Sequence, residues 1–271
     1  MLFGAQGWTV TPSPRPAAPL KLVCFHHSGG GALGFRDWPA MLRPDVELIA
    51  VQLPGRENRY SDPPVGGLDA LLDAFVPALR DLVRGPYALF GHSLGGALAY
   101  FLAERVARTA EMAAPVRLIV SATPPPMANP LGKARPPLTD AELVGRLRRL
   151  GGTPPELLEE PSMLAAFLPT LRADFELMAG LPPAGRTPLD VAITAIRGAS
   201  DQAVDASDFE GWSRLTSNAF RSHTLPGGHF YFQTAQAEFF QILNTVLGYD
   251  LGRLPAAAVQ ADREPSHANA G

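Results

Sequence analysis

A serine sits between glycines in Gly91-His92-Ser93-Leu94-Gly95, with an apolar run, Ala88-Leu89-Phe90, before it and a helix-forming run after it. The spacing is that of a nucleophile elbow, G-x-S-x-G. A sharp strand-to-helix turn strains the serine backbone and lifts its hydroxyl clear of the sheet. Residues two before and two after then crowd together, and glycine at both places removes the clash. The following helix aims its N-terminus at the site, so the Leu94 N–H becomes a candidate oxyanion donor. The His92 side chain should point away from that of Ser93 and is expected to be structural.

A serine hydroxyl is a poor nucleophile until a base takes its proton. Elbow enzymes carry their partners in the order serine, acid, histidine. Asp201 follows the apolar run AITAIRG and enters a loop, which makes it the candidate acid, with Asp205 and Asp208 as competitors. His229 lies in LPGGHFYFQ, after two glycines and before a helical pattern, and is the candidate base. His223 falls in the preceding expected strand, His267 near the C-terminus, and His26 and His27 too early for that order. A second oxyanion donor should come from the loop after the first core strand. That loop reads Phe25-His26-His27-Ser28-Gly29-Gly30-Gly31, and the Ser28 N–H is assigned. As a phosphate-cradling loop it lacks G-x-x-x-x-G-K-[ST], and it lacks a G-x-G-x-x-G in a dinucleotide-binding context. Adjacent His26 and His27 point apart and lack a supporting His/Asp cluster, so no metal is expected.

These residues need a scaffold that ends several strands at one edge. Apolar runs at 20–25, 46–53, 87–90, 116–122 and 190–198 read as strands, and 68–83 and the segment from Ser93 to about 107 as helices, with Pro77 an irregularity in the first. Near-continuous Val/Ile/Leu runs alternating with helices predict an α/β fold with a mostly parallel sheet covered on both faces. Residues 123–189 interrupt the rhythm between Pro-rich borders, TPPPMANP and GLPPAGRTPL, and carry helical patterns near 139–150 and 162–179. Hence one domain over 1–271 is expected, with a helical insertion at 123–189 and flexible tails at 1–19 and 253–271. Within the insertion Met163, Leu164, Phe167, Leu168, Leu171, Phe175 and Met178 recur at helical spacing, and Phe167, Leu171 and Phe175 are the candidates for shaping a substrate channel. Arg146, Arg148 and Arg149 form a basic cluster, readable as a docking feature or as a solvated helix face.

The totals fit an enzyme core. Hydrophobic residues make up 46% and charged residues 18%, which supplies a sizeable interior. A net charge of −3 gives no nucleic-acid-binding field. The one cysteine, Cys24, cannot close an internal disulfide, and neither a signal peptide nor a spanning run is seen, so a soluble cytoplasmic protein without membrane partners is expected.

FHHSGGGA, VQLPGRENR, FGHSLGG, LPTLRADFE, RGASDQAV and LPGGHFYF occur in this order between about residues 20 and 248, and together they resemble the motifs of type II thioesterases of polyketide synthase and nonribosomal peptide synthetase assembly lines. The resemblance implies an α/β-hydrolase fold with a mobile helical lid at 123–189. It implies Ser93 as nucleophile, Asp201 as acid, His229 as base, and Ser28 and Leu94 as oxyanion donors. Where the family usually has Pro-His-Ala-Gly-Gly, this chain has His26-His27-Ser28-Gly29-Gly30. The implied substrate is an acyl thioester on the phosphopantetheine arm of an acyl or peptidyl carrier protein, hydrolysed to remove stalled or aberrant acyl groups. No cofactor of the enzyme's own is implied, since phosphopantetheine belongs to the substrate, and a monomer is implied. A generic serine esterase, a releasing domain cut from a megasynthase and a non-catalytic binding module on the same fold are the alternatives.

Overall fold

The structure is a computed structural model that describes residues 1–4, 7–126 and 138–254. Eight strands form one sheet: β1 (Leu2–Phe3), β2 (Thr9–Thr11), β3 (Leu20–Phe25), β4 (Val46–Val51), β5 (Tyr87–His92), β6 (Arg117–Ser121), β7 (Ala192–Gly198) and β8 (Phe220–Leu225). Their order is β1-β2-β4-β3-β5-β6-β7-β8. The pairs from β4 to β8 are parallel, and β1 and β2 add an antiparallel edge. The helices are α1 (Leu68–Leu82), α2 (Leu94–Thr109), α3 (Asp140–Leu150), α4 (Pro155–Glu159), α5 (Pro161–Ala179), α6 (Ala206–Phe209), α7 (Tyr231–Thr234) and α8 (Gln236–Leu251). This is the mostly parallel, two-faced α/β sheet expected from the apolar runs.

Every residue of β3, β4, β5 and β6 is buried. Alternate side chains serve two cores, as the pleat requires. Val23 and Phe25 of β3 join Phe75 of α1 and Tyr100 of α2 on one face, while Leu20, Leu22 and Cys24 join Trp38 and Phe239 of α8 on the other. α1 buries Leu71, Leu72, Phe75, Val76 and Leu79. It runs unbroken through Pro77, which is exposed, so the carbonyl that proline leaves without a donor lies on the wet side of the helix.

The insertion builds a small core of its own, with Leu143 and Leu147 of α3 against Leu171 of α5. α3 opens with a full capping box between Thr139 and Glu142. α4 is an additional short helix between the two that the sequence suggested. Met127–Pro130, the end of the first Pro-rich border, lies outside the described residues.

The N-terminal reading is corrected. Residues 1–19 contribute β1 and β2, Val10 pairs with Ala50 of β4, and Trp8 and Val10 are buried. Two or three residues are too few for a visible alternating pattern, and the neighbouring prolines hide it. Of the other expected tail, residues 255–271 lie outside the described residues.

At the start of β6, Arg117 makes a bidentate, buried pair with Asp250 of α8, at 2.6 Å on both arms, and also donates to Thr194 Oγ1. It ties the last helix under the strands that carry the site. Asp250→Ala leaves a buried cation unpaired and should cost about 3–5 kcal/mol, read from urea denaturation. A loss below about 1 kcal/mol would contradict it.

Candidate active site

The turn from β5 into α2 places Ser93 at φ 56, ψ −120, outside the favourable regions for a side-chain-bearing residue. Its N–H is held by Ser121 O at 2.8 Å. The surrounding backbone is too close for side chains: a Cβ on Gly91 would stand 2.0 Å from Gly95 O, and one on Gly95 2.3 Å from Phe25 O. The elbow spacing in the sequence is therefore a packing requirement of three backbone segments.

Asp201 follows β7 and His229 follows β8. The two loops are joined by Ser200, whose N–H and hydroxyl both donate to Gly227 O. His229 Nδ1 donates to Asp201 Oδ2 at 2.9 Å, and Asp201 Oδ1 accepts the Ala203 N–H at 2.9 Å. Both side chains are almost wholly buried. With Nδ1 carrying the proton, Nε2 is left as the acceptor. Ser93, Asp201 and His229 line one cavity of about 500 Å³ at the carboxyl ends of the parallel strands. The competing acids separate by environment: Asp205 is exposed and caps α6 through the Ser207 N–H, and Asp208 is exposed. His223 is half-buried on β8, and His267 lies outside the described residues.

Ser28 lines the same cavity. The Leu94 N–H is in the first turn of α2 and has no acceptor within the helix. Ser28 Oγ is buried without a hydrogen-bond partner among the described residues, so the hydroxyl adds no bond to a position whose expected contribution is its backbone. His26, where the family pattern has proline, braces the loop by another route: its Nδ1 donates to His27 O at 2.8 Å. Phe167 and Phe175 line the cavity, as does Met178. Leu171 does not: it is fully buried against α3 and packs on Gly29, so its reading as a channel residue is corrected. Phe167, Leu171 and Phe175 share one helical stripe, but α5 turns its middle residue into the interface with α3.

The sequence reading overlooked a buried ion pair. Arg56, in the loop after β4, meets Asp174 of α5 with two arms at 2.7 and 2.8 Å. Asp174 Oδ2 also accepts the Gly29 N–H at 2.7 Å, and Arg56 donates to Gly30 O at 3.0 Å. The insertion is thus bonded to the loop that carries Ser28. Both residues lie in stretches already singled out, VQLPGRENR and LPTLRADFE, and an arginine and an aspartate in two apolar-flanked motifs were the available signal.

His92 and His27 lie near His229, and among the described residues neither has a carboxylate hydrogen-bonded to its ring. His92 donates or accepts at Ser121 Oγ (2.8 Å), which in turn meets Tyr231 OH at 2.7 Å. Its ring lies 5.0 Å from that of His229. Burial lowers the His92 pKa well below the usual value, with the neighbouring His229 and His27 adding to the effect. Burial likewise lowers His26 to about 3, with Arg56 adding to it, and His27 to about 3.

Two outcomes follow from this geometry. Asp174→Ala strands a buried guanidinium and a loop N–H together, and should cost about 3–5 kcal/mol in chemical denaturation; a neutral result would show that the pair holds nothing. His26 and His92 stay neutral in the folded protein while the unfolded chain protonates them below pH 6.5. Their contribution is complete above pH 6.5 and is lost as the pH falls, at about 1.4 kcal/mol per pH unit for each histidine. Urea unfolding at pH 7, 6 and 5 should show that decline, and His26→Gln should make it shallower; flat stability across the range would refute it.

The thioesterase domain family profile matches residues 20–247. The chain is 31% identical over 236 residues to the gramicidin S biosynthesis protein GrsT of Aneurinibacillus migulanus, covering 87% of this chain and 92% of that protein. Among solved structures it resembles the type II thioesterase BorB from the borrelidin biosynthetic cluster, with TM-score 0.75, 32% identity, and 87% and 96% of the two chains covered. It also resembles the thioesterase RedJ from the prodiginine pathway of Streptomyces coelicolor, with TM-score 0.78, 34% identity, and 86% and 87% covered. A serine elbow, a buried Asp–His pair and this sheet are therefore found together in a chain that belongs to the thioesterase family, with the α/β-hydrolase fold.

Proposed function

We propose that this chain is a discrete editing thioesterase, which releases stalled or aberrant acyl groups from the phosphopantetheine arm of acyl or peptidyl carrier proteins in polyketide or nonribosomal peptide assembly. The observation that carries the chemistry is the 2.9 Å bond from His229 Nδ1 to Asp201, in the cavity that Ser93 lines. The similar proteins GrsT, BorB and RedJ, each named for a biosynthetic pathway or cluster, support the substrate class.

In this reading Ser93 Oγ attacks the thioester carbonyl carbon as His229 Nε2 takes its proton. The Ser28 and Leu94 N–H groups hold the oxyanion, a contribution of about a hundred- to thousandfold in rate for each donor. The C–S bond breaks, the thiolate of the arm takes the proton from His229, and an acyl-Ser93 ester remains. Water, deprotonated by His229, adds to that ester; the acid leaves and Ser93 recovers its proton. The chain's own side chains and backbone N–H groups supply these steps, so the reading calls for no metal or organic cofactor. The insertion acts as the lid over the cavity, with Phe167 and Phe175 bounding the acyl group. No helix among the described residues is long and apolar enough to cross a membrane, and we place the enzyme in the cytoplasm as a monomer.

Intact-protein mass spectrometry of an acetylated carrier tests the reading. Wild type should strip the acetyl mass, and Ser93→Ala should slow that loss at least about a thousandfold while remaining folded. A carrier that stays loaded while simple oxygen esters are cleaved would replace this reading with that of a generic esterase.

A further inference from the structure

The basic cluster of α3 is divided by the fold. Arg146 and Arg149 line the cavity that holds Ser93, and Arg148 does not. Their spacing of three residues puts them on one face of the helix. Among the described residues neither makes an ion pair. Glu142, one turn before Arg146, spends its carboxylate on the Thr139 N–H (2.7 Å) and hydroxyl (2.8 Å). Asp201, the carboxylate lining the cavity, is taken up by His229 and the Ala203 N–H. Both arginines border the cavity, and Arg146 also feels the Glu142 charge across an adjoining surface pocket that Glu142, Arg146 and Arg149 line together.

Their placement sets what they can bind. Arg146 lies over the Phe175 ring at 5.3 Å, which holds its head at the wall. Arg149 is exposed, so it stands at the open end, whereas Ser93 lies at the end of β5. A thioester reacting at Ser93 leads its arm outward past this rim. We propose that Arg146 and Arg149 bind the phosphate of the phosphopantetheine arm, a proposal that rests on the carrier reading above. A guanidinium fork matches phosphate oxygens in pairs. The α5 residues that line the cavity, Phe167, Phe175 and Met178, are apolar, so Arg146 and Arg149 are the arginines that its lining offers to an anion.

The test needs no docking partner. The kcat/KM values of acetyl-pantetheine and acetyl-phosphopantetheine are compared for wild type, Arg149→Ala, Arg149→Lys and the Arg146→Ala/Arg149→Ala double variant. Wild type should favour the phosphorylated arm by about five- to tenfold. The ratio should shrink with added salt, fall toward one in the double variant, and be partly kept by Arg149→Lys. A wild-type ratio of one, or a ratio that survives in the double variant, overturns the proposal. Acetylated carrier and acetyl-coenzyme A, run beside them, identify the donor that presents the phosphate. Faster turnover of the coenzyme A ester would overturn the carrier reading, while the pantetheine ratio still decides the role of the two arginines.

Discussion

Everything at this site hangs on how closely three backbone segments approach one another at the end of β5. Ser93 occupies a conformation that costs energy, and it is held there because Gly91, Gly95 and the carbonyl of Phe25 leave no room for an alternative path. The Ser121 carbonyl fixes the serine N–H from the neighbouring strand. The buried sheet below supplies the rigidity, and α2, buried for most of its length, keeps its N-terminus aimed at the cavity. The strain at one residue is affordable because a whole α/β core surrounds it.

The same loop that Gly95 touches is gripped from the other side. Asp174 reaches out of the insertion to bond Gly29 N–H, and Arg56 closes the triangle through Gly30 O. An ion pair this deeply buried is weak as a source of net stability, because both ions were desolvated to make it. Its value lies in specificity: it is satisfied in one arrangement of α5 over the Ser28 loop. Rearranging the insertion therefore means either breaking charged bonds next to the candidate oxyanion site or carrying that loop along.

Much of the fold was legible because its strands are buried on both faces and read as continuous apolar runs. Ser93, Asp201 and His229 could be named because their order follows strand ends, and strand ends can be read locally. Choosing Asp201 over Asp205 and Asp208 on physical grounds needed burial, which depends on the neighbouring loop at Gly227. The Arg56–Asp174 pair was not legible: its members are 118 residues apart, and neither lies in a pattern that names its partner. Leu171 shows the limit of periodicity, which gives the stripe of a helix and not the neighbour that each residue of the stripe meets. The N-terminal strands were missed because two or three residues have no period.

The histidines around the cavity show why position alone does not make a base. His27, His92 and His229 all pack on Phe230, with ring centroids 4.8, 5.3 and 5.2 Å away. Burial makes a positive imidazolium costly for His27 and His92, and each added charge would raise the cost for the others. His229 alone in this group has a carboxylate on its Nδ1. In the proposed reaction that anion stabilises the imidazolium formed at His229, while its neighbours remain neutral and contribute shape without charge. The Ala203 N–H compensates the buried carboxylate and holds it in place. A site crowded with imidazoles thus has one that is paired with a carboxylate, and that pairing was made by a loop after β7 rather than by the histidine motif itself.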